Sequence, residues 1–198
     1  MSVDDETRAV YDSRAADYAR RFASDGPDED LSDFMAALEP GTRVLDLGCG
    51  PAAASAHMME AGFDVTAWDA SAEMVRIARD RGVDAHVASF GDLVAQEEFG
   101  GIWANFSLLH APRAEFDTHL SAISRALKPR GLFHIGAKTG EGEKRDTLGR
   151  FYTYYTRDDL VTRLASAGFT PISERTGTDT GLAGTPEPWI TILARRNG

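Results

Sequence analysis

T-R-V-L-D-L-G-C-G-P-A, residues 42–52, carries three local signals in succession. Val44 to Leu47 is a largely apolar run that predicts a buried strand. Gly48 and Gly50 follow, and because neither has a Cβ atom, the backbone can turn tightly there and approach a ligand. Pro51 suits the first turn of a helix, and good helix formers continue after it. The order of strand, glycine turn and helix predicts the entry unit of a nucleotide-binding α/β sheet.

Two acidic residues end the first two predicted strands. Asp46 stands two residues before the first glycine, and Asp69 ends the next apolar run, 63–69. A carboxylate at Asp46 repels a pyrophosphate but suits an ammonium group. Asp69 follows about 20 residues on, where a carboxylate binds both hydroxyls of a ribose. The two acids favour a cationic nucleoside as ligand, although the glycine turn alone is also compatible with a βα turn that binds nothing.

Four segments resemble the successive motifs of class I S-adenosylmethionine-dependent methyltransferases. They read D-L-G-C-G-P-A (46–52), W-D-A-S (68–71), A-N-F-S-L-L-H (104–110) and L-K-P-R-G-L-F (127–133). Within the class, the chain is similar to small bacterial tellurite-resistance-type methyltransferases. The resemblance implies an α/β fold, a three-layer, doubly wound, Rossmann-like sheet of seven strands, mostly parallel, with a C-terminal antiparallel β-hairpin. Ala52 replaces a third glycine, and we expect it to tighten the loop only modestly.

The same resemblance implies a site for S-adenosyl-L-methionine at the carboxyl ends of the strands. The family often has an acid for the adenine amine just after the third strand; here we expect Ser89 or a backbone group, with Asp92 less favoured. Asn105 resembles the position that contacts the methionyl group. The residues assigned to the cofactor are Tyr11, Asp46, Gly48, Cys49, Gly50, Asp69, Ala70, Met74, Ser89, Phe90 and Asn105.

Residues 1–40 are predicted to form a helical arm over the cofactor site, and 41–198 a methyltransferase domain, in one globular unit. Tyr11, Ala15, Tyr18 and Phe22 share one face of a predicted helix. Such a stripe commonly packs on a domain. Similar enzymes, however, carry a Y-x-x-x-A-x-x-Y segment across the cofactor mouth, which this helix matches. A phenol there is expected to shield the sulfonium or to contact the substrate.

His110 and Tyr18 are the candidate catalytic residues. The stretch from 105 to 110 follows the fourth predicted strand, and active sites in such sheets lie at the carboxyl ends of the strands. A phenol, carboxylic acid or amine needs a general base, whereas a thiolate or another soft anion needs none. A capping or packing role for His110 is the equal alternative.

Residues 138–155 form a long, charged and aromatic segment that we interpret as a lid on the substrate side. Long connections between core elements are usually functional or disordered, and the aromatic residues argue against disorder. Lys138, Arg145 and Arg150 are expected to hold an anionic substrate, and Tyr154 belongs to the same lid.

The overall composition indicates an ordinary globular chain: 198 residues, 42% hydrophobic and 26% charged. A net charge of −10 disfavours a nucleic-acid substrate, because phosphate contacts need a basic surface. No apolar run reaches membrane-spanning length, and the acidic N-terminus carries no secretory signal. Cys49 is the only cysteine, so an internal disulfide is excluded and no metal site is expected. We expect a cytoplasmic monomer or homodimer without nucleic-acid or membrane partners.

The predicted activity is methyl transfer from S-adenosylmethionine to a small molecule by in-line displacement. The N-P-P-Y type of signature found in nucleic-acid amino methyltransferases is absent, since the matching stretch, 105–108, reads N-F-S-L. Two alternatives remain open at this point. A noncatalytic S-adenosylmethionine-binding module would carry the same cofactor motifs, and a NAD-type Rossmann oxidoreductase would share the glycine turn but not the acid at Asp46.

Overall fold

Nine strands and six α-helices make up the part of the chain that the computed structural model describes, residues 4–23 and 25–198. Residues 1–3 of the predicted arm and residue 24 of the turn after it lie outside the described residues. The helices are α1 (Asp5–Arg21), α2 (Glu29–Ala36), α3 (Ala53–Glu60), α4 (Ala72–Asp80), α5 (Arg113–Ala126) and α6 (Arg157–Ser166). The strands are β1 (Arg43–Leu47), β2 (Asp64–Asp69), β3 (Asp84–Val87), β4 (Phe99–Ala104), β5 (Leu127–Lys138), β6 (Glu143–Arg145), β7 (Phe151–Thr153), β8 (Phe169–Thr180) and β9 (Pro186–Arg196).

The main sheet has seven strands in the order β3-β2-β1-β4-β5-β9-β8. Strands β1 to β5 pair in parallel, whereas β9 runs antiparallel to both β5 and β8. The strand order reverses between β1 and β4, which in doubly wound sheets opens a crevice at the carboxyl ends of these strands. The predicted fold class is therefore confirmed, including the antiparallel hairpin at the C-terminal end of the described chain.

Helices cover both faces of the sheet because successive strand residues point to opposite sides. Ile102 and Phe133 pack with α5 and α6 on one face. Their neighbours Trp103 and Leu132 pack on the other face, against Phe34 of α2. All five of these side chains are at most 2% exposed, so the sheet is the middle of three layers.

Polar side chains cap the N-termini of four helices, α1, α2, α4 and α6. Ser71 and Thr156 accept hydrogen bonds from backbone N–H groups at distances of 3.2 Å. Asp4 and Asp28 do the same for α1 and α2 at 2.8 Å. These carboxylates and hydroxyls satisfy N–H groups that have no partner inside the helix.

The start of α3 differs from the prediction. Pro51 precedes the helix, which begins at Ala53, and Ala52 adopts a left-handed conformation with φ of 58°. We expected this alanine to tighten the loop only modestly, but it takes a backbone conformation that costs a residue with a Cβ atom about 1–2 kcal/mol. The loop therefore imposes a conformation that glycine would adopt without this cost.

Two further features were not predicted. Strand β5 begins at Leu127, and Pro129 lies in an irregular stretch between two paired segments of this strand. The segment 138–155, predicted as a long lid loop, contains the two-stranded sheet of β6 and β7. Among the described residues, no helix is both long and apolar enough to cross a membrane.

Candidate active site

Two cavities open at the carboxyl edge of the parallel strands and meet there. We call them the narrow cavity, about 700 Å³, and the wide cavity, about 1520 Å³, each measured with its open mouth. Five residues line both cavities and form the junction between them: Tyr11, Tyr18, Asn105, Phe106 and His110. Both predicted catalytic residues thus lie at this junction.

The narrow cavity collects all but two of the residues assigned to the cofactor. Its lining includes Tyr11, Gly48, Gly50, Asp69, Ala70, Met74, Ser89, Phe90 and Asn105. The glycine loop, the end of β2 and the start of α4 supply the polar wall. The aromatic and apolar side chains of Met74 and Phe90 supply a flat, water-poor wall of the kind that an adenine ring needs.

Gly48 is required by packing as well as by its turn. Its φ is +83°, and a Cβ atom there would lie 2.2 Å from Cβ of Ser107. Ser107 in turn donates a hydrogen bond of 2.6 Å to the carbonyl of Leu47. The loop after β1 is therefore locked to the loop after β4, and this contact brings the two walls of the junction together.

Asp69 joins the glycine loop to the first turn of α4. Its carboxylate accepts hydrogen bonds of 2.8 Å from the backbone N–H groups of Gly50 and Ser71. Burial raises the pKa of this carboxyl, and the two backbone donors oppose that shift. The carboxylate lies at the cavity wall at the end of β2, where the sequence placed a ribose acid.

Asp46 and Cys49 are the two residues assigned to the cofactor that lie elsewhere. Asp46 is 2% exposed beneath the loop and accepts a hydrogen bond of 2.6 Å from Ser55. Burial raises the pKa of its carboxyl to about 7. Cys49 packs against the apolar cluster around Ala52. Neither residue is among the described residues that line the two cavities. The side chains of Asp46 and Cys49 are therefore not placed to contact a cofactor directly.

Ser89 sits at the far end of the narrow cavity, with its hydroxyl already engaged. Both its hydroxyl and its backbone N–H donate to Asp92, each at 2.7 Å. These bonds lower the pKa of Asp92 and hold its carboxylate outside the cavity lining. Of the groups considered for the adenine edge, the backbone near Ser89 is thus the better placed.

Asn105 is held from below by β5. Its Oδ1 lies 3.1 Å from Nε2 of His134, and a Cβ atom at Gly136 would approach this oxygen to 2.4 Å. Burial lowers the pKa of His134 to about 3, so its neutral ring donates to the Asn105 oxygen. The next residue, Phe106, has φ of 53°, a left-handed conformation rare for a bulky side chain. Strained backbone of this kind is common at functional sites.

His110 is held through both ring nitrogens. Nδ1 lies 2.6 Å from the carbonyl oxygen of Phe151, and Nε2 lies 2.9 Å from the hydroxyl of Tyr11. Tyr18 packs edge-on against Tyr11, with ring centroids 5.7 Å apart. Helix α1 therefore contributes two tyrosines to the lining of both cavities, and Tyr11 contacts the candidate base.

The predicted lid residues are only partly at the site. Lys138 and Arg150 line the wide cavity, but Lys138 pairs with Glu187 and Arg150 pairs with Asp146. Their charges are thus already balanced, which removes the reason to expect an anionic substrate.

Arg145 and Tyr154 depart from the prediction. Arg145 binds Asp4 at the surface, at 2.7 and 2.9 Å, and anchors the start of α1 to the β6–β7 hairpin. Tyr154 is 4% exposed and donates to Glu187 at 2.8 Å. Neither is among the residues that line the narrow or the wide cavity, because both side chains fasten the lid itself.

Sequence reasoning missed several residues of the site. Phe106, Tyr152, Glu187 and Trp189 line the wide cavity, and Ser71 of the narrow cavity donates to Asp12 of α1 at 2.6 Å. Glu187 lies at the start of β9, where no motif marks it. Among the described residues, no group of three or more His, Cys, Asp or Glu side chains is arranged to hold a metal ion.

The match to known families covers the first half of the sheet. Residues 44–131 match a family model described as a methyltransferase domain. The match and the sheet order confirm the resemblance to class I S-adenosylmethionine-dependent methyltransferases. The ubiquinone biosynthesis O-methyltransferase of Xanthomonas oryzae pv. oryzae is 34% identical over 145 residues, which cover 65% of this chain and 60% of that protein. This chain thus matches less than two thirds of that relative's length.

Solved structures extend the similarity to nearly the whole chain. The 1,6-didemethyltoxoflavin-N1-methyltransferase of Burkholderia thailandensis, with 1,6-didemethyltoxoflavin and S-adenosylhomocysteine bound, aligns with a TM-score of 0.76 at 24% identity, covering 98% of this chain and 88% of that one. TehB of Haemophilus influenzae aligns with a TM-score of 0.73 at 18% identity, covering 91% and 66%. At these identities the likenesses establish the fold alone.

Proposed function

We propose that this chain is an S-adenosylmethionine-dependent methyltransferase that methylates a small molecule. The observation that carries the proposal is the junction of the two cavities at Tyr11, Tyr18, Asn105, Phe106 and His110. A methyl donor in one cavity and an acceptor in the other would meet at this point. Holding both partners in line and excluding water is the main contribution that a protein makes to a displacement at carbon.

The residues of the narrow cavity fit S-adenosylmethionine. Asp69 offers a carboxylate for the ribose hydroxyls, Met74 and Phe90 flank the place for the adenine, and Asn105 offers its amide N–H₂ toward the methionyl group. The absence of Cβ atoms at Gly48 and Gly50 leaves room for a close approach. When bound, this cofactor supplies an activated methyl group on a sulfonium. Tyr11 and Tyr18 lie over the cavity and shield that charge from water.

The wide cavity is suited to a flat, largely uncharged acceptor. Tyr18, Phe22, Trp103, Phe106, Tyr152 and Trp189 contribute aromatic side chains to its lining. Aromatic walls favour planar ligands through stacked and edge-on contacts. The relatives support this choice, because one is named for methylation in ubiquinone biosynthesis and another holds 1,6-didemethyltoxoflavin.

The charge of the chain bears on its substrate class, and the proposal extends to its location and its oligomeric state. With a net charge of −10 we propose that nucleic acid is not a substrate, and that the protein acts in the cytoplasm as a monomer or homodimer. Residues 1–40 act as the arm over the site, and 41–198 as the catalytic unit. The part of the lid that contains Arg150 and Tyr152 provides a wall of the acceptor site, whereas Arg145 lies at the surface and does not.

The proposal is tested by measuring the release of S-adenosylhomocysteine. The protein is supplied with S-adenosylmethionine and with panels of phenols, N-heterocycles, thiols, amines and carboxylic acids. Turnover that depends on one planar aromatic acceptor is the expected result. Cofactor binding without release across all panels supports the noncatalytic module instead. Binding of NAD rather than S-adenosylmethionine supports the oxidoreductase, and either outcome contradicts the proposal.

A further inference from the structure

The hydrogen bonds of His110 determine which of its nitrogens carries a proton. The carbonyl oxygen of Phe151 can only accept, so Nδ1 at 2.6 Å must be the donor. A neutral imidazole has one N–H, which leaves Nε2 as an acceptor. The hydroxyl of Tyr11, 2.9 Å from Nε2, therefore donates its proton to His110. The pair points a phenolic proton at a basic nitrogen.

Burial keeps this imidazole neutral. It lowers the pKa of His110 to about 4, and the carbonyl of Phe151 opposes the shift. Arg150 and Lys138 lower the pKa further, and Asp146 raises it. The ring of Tyr152 packs against the imidazole, with centroids 4.6 Å apart. At neutral pH the lone pair on Nε2 is thus available to take the proton of Tyr11.

Arg150 fixes the position of the phenol. Its Nη1 donates to the Tyr11 oxygen at 3.0 Å, and its Nε and Nη2 donate to Asp146 at 2.9 and 2.7 Å. The Arg150 side chain is 3% exposed, so it has little freedom to turn away. A buried cation that donates to the phenol oxygen stabilises that oxygen when negative charge develops on it.

We propose that Tyr11 takes the proton of the methyl acceptor while passing its own proton to His110, with Arg150 and Asp146 as positioning residues. The inference rests on the proposed function and gives a catalytic role to a tyrosine that sequence reasoning assigned to the cofactor. Tyr11 lines both cavities, so this residue lies between the proposed cofactor site and the proposed acceptor site.

The step balances in atoms and charge. The acceptor oxygen or nitrogen bonds to the methyl carbon while the bond from that carbon to sulfur breaks, and the electron pair stays on sulfur. The acceptor proton moves to the oxygen of Tyr11, and the Tyr11 proton moves to Nε2 of His110. The positive charge that leaves the sulfonium thus appears on the imidazolium, which afterwards loses a proton to solvent.

This arrangement defines the class of acceptor. A thiolate has no proton to transfer, so the relay is useful only for an acidic O–H or N–H. The lining cations Lys138 and Arg150 are already paired with carboxylates, so no strong site for a preformed anion is left among them. The acceptor is therefore a planar aromatic or heteroaromatic molecule that binds with its O–H or N–H intact.

Nitrogen NMR of ¹⁵N-histidine-labelled protein tests the geometry without any turnover. The signals of His110 are assigned by their loss in His110→Asn, with S-adenosylhomocysteine present. The expected result is a neutral ring protonated at Nδ1 from mildly acidic to alkaline pH, and a shift of the Nε2 signal in Tyr11→Phe. A ring protonated at Nε2, or an imidazolium at neutral pH, overturns the proposal.

Kinetics with two probes test the chemistry. The acceptors are 4-methylphenol, which is protonated at neutral pH, and 4-nitrothiophenol, which is ionised. Tyr11→Phe is expected to lower kcat for the phenol by about 10²-fold or more relative to its effect on thiophenol turnover. Equal losses for both probes, or no loss for the phenol, refute the relay.

The control is Tyr155→Phe, because this tyrosine is buried in the core and its hydroxyl contacts neither cavity. Wild-type protein that releases no S-adenosylhomocysteine with any acceptor contradicts the proposed function. The tautomer of His110 then still decides the relay geometry on its own. Calorimetric titration of Tyr11→Phe with S-adenosylhomocysteine separates a loss of cofactor binding from a loss of proton transfer.

Discussion

Replacing Asp69 by alanine removes the carboxylate that joins the glycine loop to helix α4. Two backbone donors, Gly50 and Ser71, lose their acceptor at once, each from a distance of 2.8 Å. Hydrogen bonds to a charged group contribute about 1.5–3 kcal/mol each, so the gross loss is about 3–6 kcal/mol. Burial of the carboxylate offsets part of this, as its raised pKa shows. We expect a net loss of roughly 2 kcal/mol in the free energy of unfolding.

The same substitution removes the proposed ribose acceptor. Losing a charged acceptor for two hydroxyls costs about 3 kcal/mol of binding free energy, or roughly 100-fold in affinity. Thermal unfolding measures the first effect, with an expected fall in Tm of roughly 4–8 °C for a chain of this size. Calorimetric titration with S-adenosylhomocysteine measures the second, at a temperature where the variant is folded.

Asp64→Ala is the matched control, since Asp64 stands at the other end of the same strand. Its side chain is 69% exposed, and its nearest cation, Arg43, lies 3.8 Å away. We expect a change within about 0.5 kcal/mol and parental affinity. An Asp69→Ala protein with parental Tm and parental affinity would refute both roles of the carboxylate. A fall in Tm with unchanged affinity would leave Asp69 as a structural residue only.

Three further substitutions test separate parts of the structure. Gly48→Ala should lower stability by roughly 3 kcal/mol more than Gly41→Ala in denaturant unfolding, because both have positive φ but only Gly48 would clash with Ser107; equal losses would contradict the packing. Asp46→Asn should raise stability at pH 8 by up to roughly 4 kcal/mol and have little effect at pH 4, since a carboxyl pKa raised to about 7 makes the parent lose stability as pH rises from about 4 to 7; a parallel pH profile would refute this. Tyr155→Phe should raise stability by about 1 kcal/mol in the same assay, because the buried hydroxyl has no partner among the described residues; a loss would reveal one.

The first half of the chain was predictable because its signals are local. The run of apolar residues from Val44 to Leu47 and the two glycines, Gly48 and Gly50, each act within a few positions of the chain. Asp69 could be placed at the site because the carboxyl ends of parallel strands share one edge of the sheet. Local signals therefore marked Gly48, Gly50 and Asp69, whereas residues such as Tyr11, Ser89 and Asn105 were assigned from the family resemblance.

The acceptor side could not be predicted in the same way. Tyr11 meets His110 across 99 positions of sequence and Arg150 across 139, and no periodicity encodes such pairs. The charged strand β6 has no apolar alternation, and its pairing with β7 forms a hairpin that Arg145 ties to α1. Arginines that look free in the sequence are thus committed to carboxylates elsewhere.

Tertiary packing also overrides the local backbone preference of one residue in each of two loops. Phe106 and Ala52 both adopt left-handed backbone conformations that their side chains disfavour. Phe106 donates its backbone N–H to Gly136 at 3.1 Å, and Ala52 is fully buried at the start of α3. Tertiary packing imposes these conformations, so residue type alone gave no signal for them.

Calorimetric titration of the purified protein with S-adenosylmethionine and S-adenosylhomocysteine, with NAD as the control ligand, tests the central claim most directly. The structure predicts saturable binding of both sulfur ligands in the micromolar range and no heat from NAD. Absence of binding for both sulfur ligands would mean that the glycine loop and Asp69 serve only the fold, and it would contradict the proposed function.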